Sequence, residues 1–178
     1  MHFEPLRADD RSRVNEILAA TGAFTDEEID VALELFDVAY PADGDRPSVA
    51  ALTSRYEDYE FVGARDAEGA LLGYACFGPT PSTDGTFDLY WLAVHPDAQG
   101  RGAGRRLLAW VEEELNQRSA RLLVVETSSR DAYVRTREFY TRAGYAEAAR
   151  VRDFYAPADD RIIYTTRLTA RAVGAATP

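Results

Sequence analysis

Residues 86–115 change their apolar period across a turn that is almost free of side chains. "TFDLYWLAV" has the aromatic and aliphatic content of a strand. Beyond it, Leu107, Leu108, Val111 and Leu115 fall on one stripe at helical spacing. Between the two lies "HPDAQGRGAG", with Gly100, Gly102 and Gly104 at alternate positions. A strand that passes through such a turn into an amphipathic helix commits the chain to an α/β fold. It also builds a place for an anion. Glycines let main-chain N–H groups come close to a charged ligand, and the helix N-terminus adds a partial positive charge. A tight turn alone explains one glycine; three alternate glycines behind Gln99 point to a ligand.

The other elements follow from the same periodicities. "MHFEPLR" is a first strand, and Asp9 or Asp10 caps a helix to about Ala20 with Val14, Ile17 and Leu18 on one face. Thr25 and Glu28 form a capping box for a second helix carrying Ile29, Ala32, Leu33 and Phe36, which ends before Pro41. "PADGDRPS" is a loop, and the stretch around residues 66–69 is the turn of a hairpin. "RLLVVET" is short and continuously apolar, as a strand buried on both faces is. Residues 131–143 read as a helix stopped by Gly144, and "YAEAARVRDFY" and "RIIYTTRL" close the chain as strands around "APADD". The order β-α-α-β-β-β-α-β-α-β-β is that of one mixed sheet with helices on both faces.

Composition limits the partners. The formal net charge is -10, which disfavours attraction to nucleic-acid phosphates. All 20 basic residues are arginine, so no lysine amine is present to be acylated. No apolar run reaches the ~20 residues of a membrane span, and "MHFEPLRADD" lacks a signal-peptide core. The single cysteine, Cys76, suits a reducing compartment, so a cytoplasmic location without membrane contact is expected. One cysteine and two histidines supply no metal-ligand cluster.

The spacing of the glycines narrows the anion. A dinucleotide fingerprint needs G-x-G-x-x-G, which fails from either Gly100 or Gly102, and a P-loop needs a lysine. Gln99, Gly102 and Gly104 instead satisfy Q-x-x-G-x-G. Here the chain resembles the GNAT (Gcn5-related N-acetyltransferase) family, and "FYTRAGY" resembles that family's second signature, F-Y-x-x-x-G-[FY]. The resemblance implies a GNAT fold: a mixed, mostly antiparallel sheet of about seven strands flanked by four helices. It implies one N-acetyltransferase domain, residues 1–168, and leaves 169–178 as a flexible tail.

By that resemblance the cosubstrate is acetyl-CoA, with no metal. Gln99, Gly100, Arg101, Gly102, Ala103, Gly104 and Arg105 wrap its pyrophosphate. Leu92, Ala93 and Val94 offer main-chain groups to its arm where the two central strands splay, and an N–H near Val94 meets the oxyanion. Tyr140 faces the sulfur and acts as the acid; a phenol with a pKa of ~10 is protonated at neutral pH. Asp88 and Glu126 match the base positions of two different branches, and water alone remains a third option. His95, before Pro96, belongs to the strand exit. "TSS" at residues 127–129 shapes a loop or contacts the cofactor.

Acceptor walls are expected from the junction of the first two helices, where Phe24 lies, and from "RDFYAPADDR". Phe154 and Tyr155 there offer aromatic faces, and Asp153, Asp159 and Asp160 offer charge, to a cationic amine. The tyrosines of "SRYEDYEF" have no assigned place. The function implied is acetyl transfer to a primary amine of a small molecule, an amino acid or a peptide N-terminus. An alternative is a non-catalytic acyl-CoA-binding module. A tRNA-directed enzyme would need a basic face, which -10 opposes. Since many relatives are dimers, a homodimer is left open.

Overall fold

The computed structural model describes residues 1–41 and 59–168. The expected loop at 42–48, Tyr56 and the tail 169–178 lie outside them. Seven strands form one sheet in the order β1-β2-β3-β4-β5-β7-β6. They are β1 His2–Pro5, β2 Glu60–Arg65, β3 Leu71–Pro79, β4 Thr86–Val94, β5 Leu122–Ser128, β6 Ala146–Ala156 and β7 Asp159–Arg167. The helices are α1 Arg11–Thr21, α2 Asp26–Ala39, α3 Ala103–Gln117 and α4 Val134–Arg142. All neighbouring strands pair antiparallel except β4 and β5.

The two faces of the sheet bury two cores. Leu107, Leu108, Val111 and Leu115 of α3 pack on Val62, Ala75, Phe77, Leu89 and Leu123, joined by Tyr140 of α4. Each such aliphatic side chain contributes roughly 1.5–3 kcal/mol by leaving water. On the other face Val14, Ile17 and Leu18 of α1 and Ile29, Leu33 and Phe36 of α2 cover Phe61, Cys76 and Ala93. The capping box of α2 forms in full: Glu28 N–H donates to Thr25 Oγ1 at 3.2 Å and Thr25 N–H to Glu28 Oε2 at 2.7 Å. Asp10, expected to cap α1, makes no side-chain cap. Its Oδ2 accepts instead from Arg65 at 2.6 Å and from Arg7 N–H at 2.8 Å, because a buried guanidinium needs the charge more than the helix end does.

One irregularity positions the site. Cys76 pairs with Trp91 but Phe77 with Leu89, so β4 has one extra residue, Tyr90. This bulge places the consecutive residues Tyr90 and Trp91 against the same core, and it bends the strand. The parallel ladder between β4 and β5 ends at the bulge, with Leu89 opposite Val125, although β4 runs on to Val94 and β5 to Ser128. Beyond that point the strands part. The expectation that β5 is covered on both faces therefore fails: Leu123 and Val125 are buried, but Glu126 is exposed, because α1 and α2 stop short and leave a cavity. Among the described residues no helix is long and apolar enough to cross a membrane.

Candidate active site

After β4 a short 3-10 turn, Pro96–Ala98, is closed by His95, whose Nδ1 accepts from Asp97 N–H at 3.3 Å. Gln99 turns back, and its Nε2 donates to Val94 O at 2.9 Å, fastening the loop to the end of β4. Gly100 (φ 71°) and Gly102 (φ 80°) then take left-handed conformations, and a Cβ at either would meet open space. Glycine is needed there for backbone shape, not for lack of room. At Gly104 a Cβ would make ordinary contacts with Phe139, Val94 and Leu92 at 3.6–3.8 Å, which places the start of α3 against β4 and α4.

The result is a run of free donors. Ala98 N–H and Gln99 N–H bond to His95 O and Pro96 O, and Arg106 N–H bonds to Gly102 O. Among the described residues no acceptor serves the amides from 100 to 105. Helix ends always leave orphan amides, but here the loop adds its own to the same place. Arg101 and Arg105 belong to the same run and have no described carboxylate within ion-pair distance, whereas Arg65, Arg118, Arg130, Arg150 and Arg161 are all paired and Arg106 donates to Met1 O at 3.4 Å. In a chain of net charge -10 these two cationic side chains are available to an anion beside the free amides.

The splay opens beside it. His95 N–H donates to Leu72 O across the β3 ladder, so alternation turns the polar groups of Ala93 toward β3 as well. Leu92 and Val94 face the open side. Of the three expected main-chain partners, Ala93 is thus engaged within the sheet and Val94 O by Gln99, which leaves Leu92 and the N–H of Val94.

On the α1–α2 face, the splay meets a cavity of about 950 Å³. Its walls come from Phe24 and the first turn of α2, Asp88 and Trp91 of β4, Glu126 of β5, Tyr133, and the β6–β7 hairpin with Tyr155. Asp88 Oδ2 accepts from Thr80 Oγ1 at 2.7 Å; its other oxygen has no partner among the described residues. Glu126 is bound to the Arg161 guanidinium. Glu28, already in the capping box, also accepts from Tyr133 OH at 3.1 Å and Arg130 at 3.3 Å, tying α2 to the segment after β5. Burial, aided by Glu28, raises the Tyr133 phenol. The "TSS" stretch does shape a loop: Ser128 Oγ donates to Asp159 Oδ1 at 2.6 Å and Ser129 N–H at 3.1 Å.

Four expected residues sit elsewhere than the cavity wall. Phe154 is half exposed, with the Arg161 guanidinium 4.8 Å above its ring, so it supports a wall residue without being one. Asp153 and Asp160 hold the hairpin tip, accepting from Ala158 N–H and Asp153 N–H. Tyr140 is 4% exposed and packs against Phe139, Tyr145 and Tyr164. Tyr164 is the ladder partner of Val125, so Tyr140 lies beneath the root of the splay on the α3–α4 face. Burial raises its phenol and keeps it protonated. Sequence reasoning missed Trp91, Arg130, Tyr133 and Arg161. Only the bulge and the hairpin fold bring them together, and neither has a local signal.

Comparison with known proteins agrees with this geometry. The model of the Acetyltransferase (GNAT) family matches residues 29–145. A solved GNAT-family structure from Desulfovibrio desulfuricans is 40% identical, covers 94% of this chain and 99% of that one, and superposes with a TM-score of 0.81. The ribosomal-protein-S18-alanine N-acetyltransferase of Escherichia coli shares the fold at 18% identity, with 99% of each chain covered and a TM-score of 0.67. S-(2-succino)cysteine N-acetyltransferase of Bacillus subtilis is 31% identical over 72 residues, 40% of this chain. An uncharacterised Mycobacterium leprae protein is 31% identical over 94% of this chain. The chain spans 44% of the length of each of these two curated relatives.

Proposed function

This chain belongs to the GNAT acetyltransferase family, and we propose that it is an acetyl-CoA-dependent N-acetyltransferase acting on a primary amine. The observation that carries this reading is the run of unpartnered amides at Gly100, Arg101, Gly102, Ala103, Gly104 and Arg105 among free guanidiniums. That donor set fits a diphosphate, and the open edges of Leu92 and Val94 fit an amide-bearing arm.

When bound, acetyl-CoA supplies the acetyl group as a thioester. Asp88, through its unpartnered oxygen and a water, takes the proton that an acceptor ammonium must lose. The amine then forms the C–N bond as the C–S bond breaks. Val94 N–H faces the carbonyl oxygen as charge grows there. Tyr140 would give its hydroxyl proton to the departing sulfur, and the second proton that the nitrogen loses on becoming an amide would pass through water to restore the phenol. Glu126, held by Arg161, is the poorer base of the two because its carboxylate is already engaged.

A second reading, an acyl-CoA-binding module without turnover, draws on the packing of Tyr140 in the core. Thiol release from acetyl-CoA, followed across polyamines, aminoglycosides, amino acids and N-terminal peptides, separates the two. Turnover with at least one amine is expected. Tyr140→Phe should lower kcat by about 100-fold while coenzyme A affinity holds. No release across the panel would overturn the enzymatic reading.

A further inference from the structure

Tyr145 closes the "FYTRAGY" stretch, and its hydroxyl has no part in the reaction above. Helix α4 ends in a left-handed turn at Gly144 (φ 94°), where Gly144 N–H donates to Thr141 O and Tyr145 N–H to Tyr140 O, both at 3.0 Å. Such a closure folds the side chain after the glycine back onto the helix. The Tyr145 ring accordingly packs on the Tyr140 ring, with centroids 5.5 Å apart. A phenylalanine would supply that packing. The hydroxyl adds a bond across to α3, donating to Glu112 Oε1 at 2.9 Å. Tyr145 is 4% exposed, so the carboxylate serves a phenol that has left water. Burial first, and then Glu112, keep that phenol protonated against the pull of Arg105.

Tyr140 needs such a support. Its own hydroxyl has no hydrogen-bond partner among the described residues, so packing against Phe139, Tyr145 and Tyr164 places its ring. Phe139 belongs to the same helix, and Tyr164 is held by the sheet. Tyr145 is the ring tied by its side chain to α3, the helix whose first turn carries the free amides. We propose that Tyr145 and Glu112 are positioning residues: their hydrogen bond sets the Tyr140 hydroxyl at its place relative to the anion-binding turn. They act through Tyr140 and not on the substrate. The proposal rests on the acetyltransferase reading above and concerns the acid of that reaction. A thioester held at its diphosphate end by α3 and met at its sulfur by α4 depends on how the two helices register, and a misplacement of about 1 Å can cost about 100-fold in rate.

The test follows thiol release from acetyl-CoA with whichever amine of the panel turns over fastest. Tyr145→Phe should lower kcat about tenfold and leave the KM for acetyl-CoA and the affinity for coenzyme A unchanged. Glu112→Leu should do the same, whereas Glu112→Gln, whose amide oxygen still accepts from the phenol, should stay within about threefold of the parent. In a Tyr140→Phe background, neither Tyr145→Phe nor Glu112→Leu should lower kcat further; a merely structural bond would lower it in both backgrounds. Unchanged kcat in Tyr145→Phe, or an equal loss with and without the Tyr140 hydroxyl, overturns the proposal. If no amine is acetylated, nuclear magnetic resonance of ring-labelled tyrosine still decides. The Tyr140 ring should then flip at least about tenfold faster in Tyr145→Phe and Glu112→Leu but not in Glu112→Gln, which upholds the positioning while the acetyltransferase reading falls. Equal flipping in the parent and all these variants overturns it.

Discussion

Removing the Glu28 carboxylate tests how the lip of the cavity is held. Four contacts depend on it: the N–H of Thr25 at 2.7 Å, the Tyr133 hydroxyl at 3.1 Å, and two contacts of one Arg130 nitrogen at 3.3 Å, beyond the cap its own N–H completes. Loss of the capping contact costs about 1 kcal/mol. The hydroxyl-to-carboxylate bond adds about 1.5 kcal/mol, and the half-exposed ion pair about 0.5 kcal/mol. Glu28→Ala should therefore lose about 3 kcal/mol and, for a chain of this size, roughly 6–12 °C in Tm by scanning calorimetry. Asp30→Asn, on the same helix and outside this network, should stay within about 0.5 kcal/mol. In a double-mutant cycle with Tyr133→Phe, the coupling should be about 1 kcal/mol. A Glu28→Ala shift no larger than that of Asp30→Asn would refute the network.

Three other outcomes are expected. Gly73→Ala should lose about 1–3 kcal/mol in urea denaturation and weaken coenzyme A binding, since a Cβ there would lie 2.6 Å from Ala93 O and 3.0 Å from Val94 Cα; a neutral result would mean that β3 and β4 separate freely. Burial raises the phenols of Tyr74, Tyr133, Tyr140 and Tyr145 above their ordinary 10.0, so the folded state keeps protons that the unfolded chain releases. Their contribution to stability is complete below pH 10 and is lost as pH rises further. Phenolate absorbance should therefore show these tyrosines ionising only as the circular dichroism collapses. Asp160 is held below its ordinary 3.8 first by Asp153 N–H and then by Arg150, a contribution present above that value and lost as pH falls through the lowered one. The midpoint of Asp160→Asn should vary less with pH on the acid side than that of the parent, and identical acid limbs would count against the contact.

Much of this was legible because it depends on neighbours in sequence. The stripe through Leu107, Leu108, Val111 and Leu115 gave α3 its buried face, and Thr25 with Glu28 marked the start of α2. The glycine turn was legible too, since positive φ at Gly100 and Gly102 is a backbone demand that only a few residue types meet. The acceptor cavity was not. Alternation alone puts Tyr90 and Trp91 on opposite faces, and the bulge that overrides it is set by packing on β3. Asp10 was misassigned for a related reason: its competitor for the helix end, Arg65, is far away in the chain. Apolar continuity in β5 suggested cover on both faces, but whether α2 reaches that far is a property of the whole fold.

The account stands most directly on titration of coenzyme A into the protein by calorimetry, with pantetheine and a Gly102→Asp variant beside it. If the amides at residues 100–105 hold the diphosphate, coenzyme A binds, pantetheine binds at least about tenfold more weakly, and the variant loses the difference by placing a carboxylate among those donors. Absence of coenzyme A binding, or equal binding of both compounds with a variant that behaves like its parent, would contradict it.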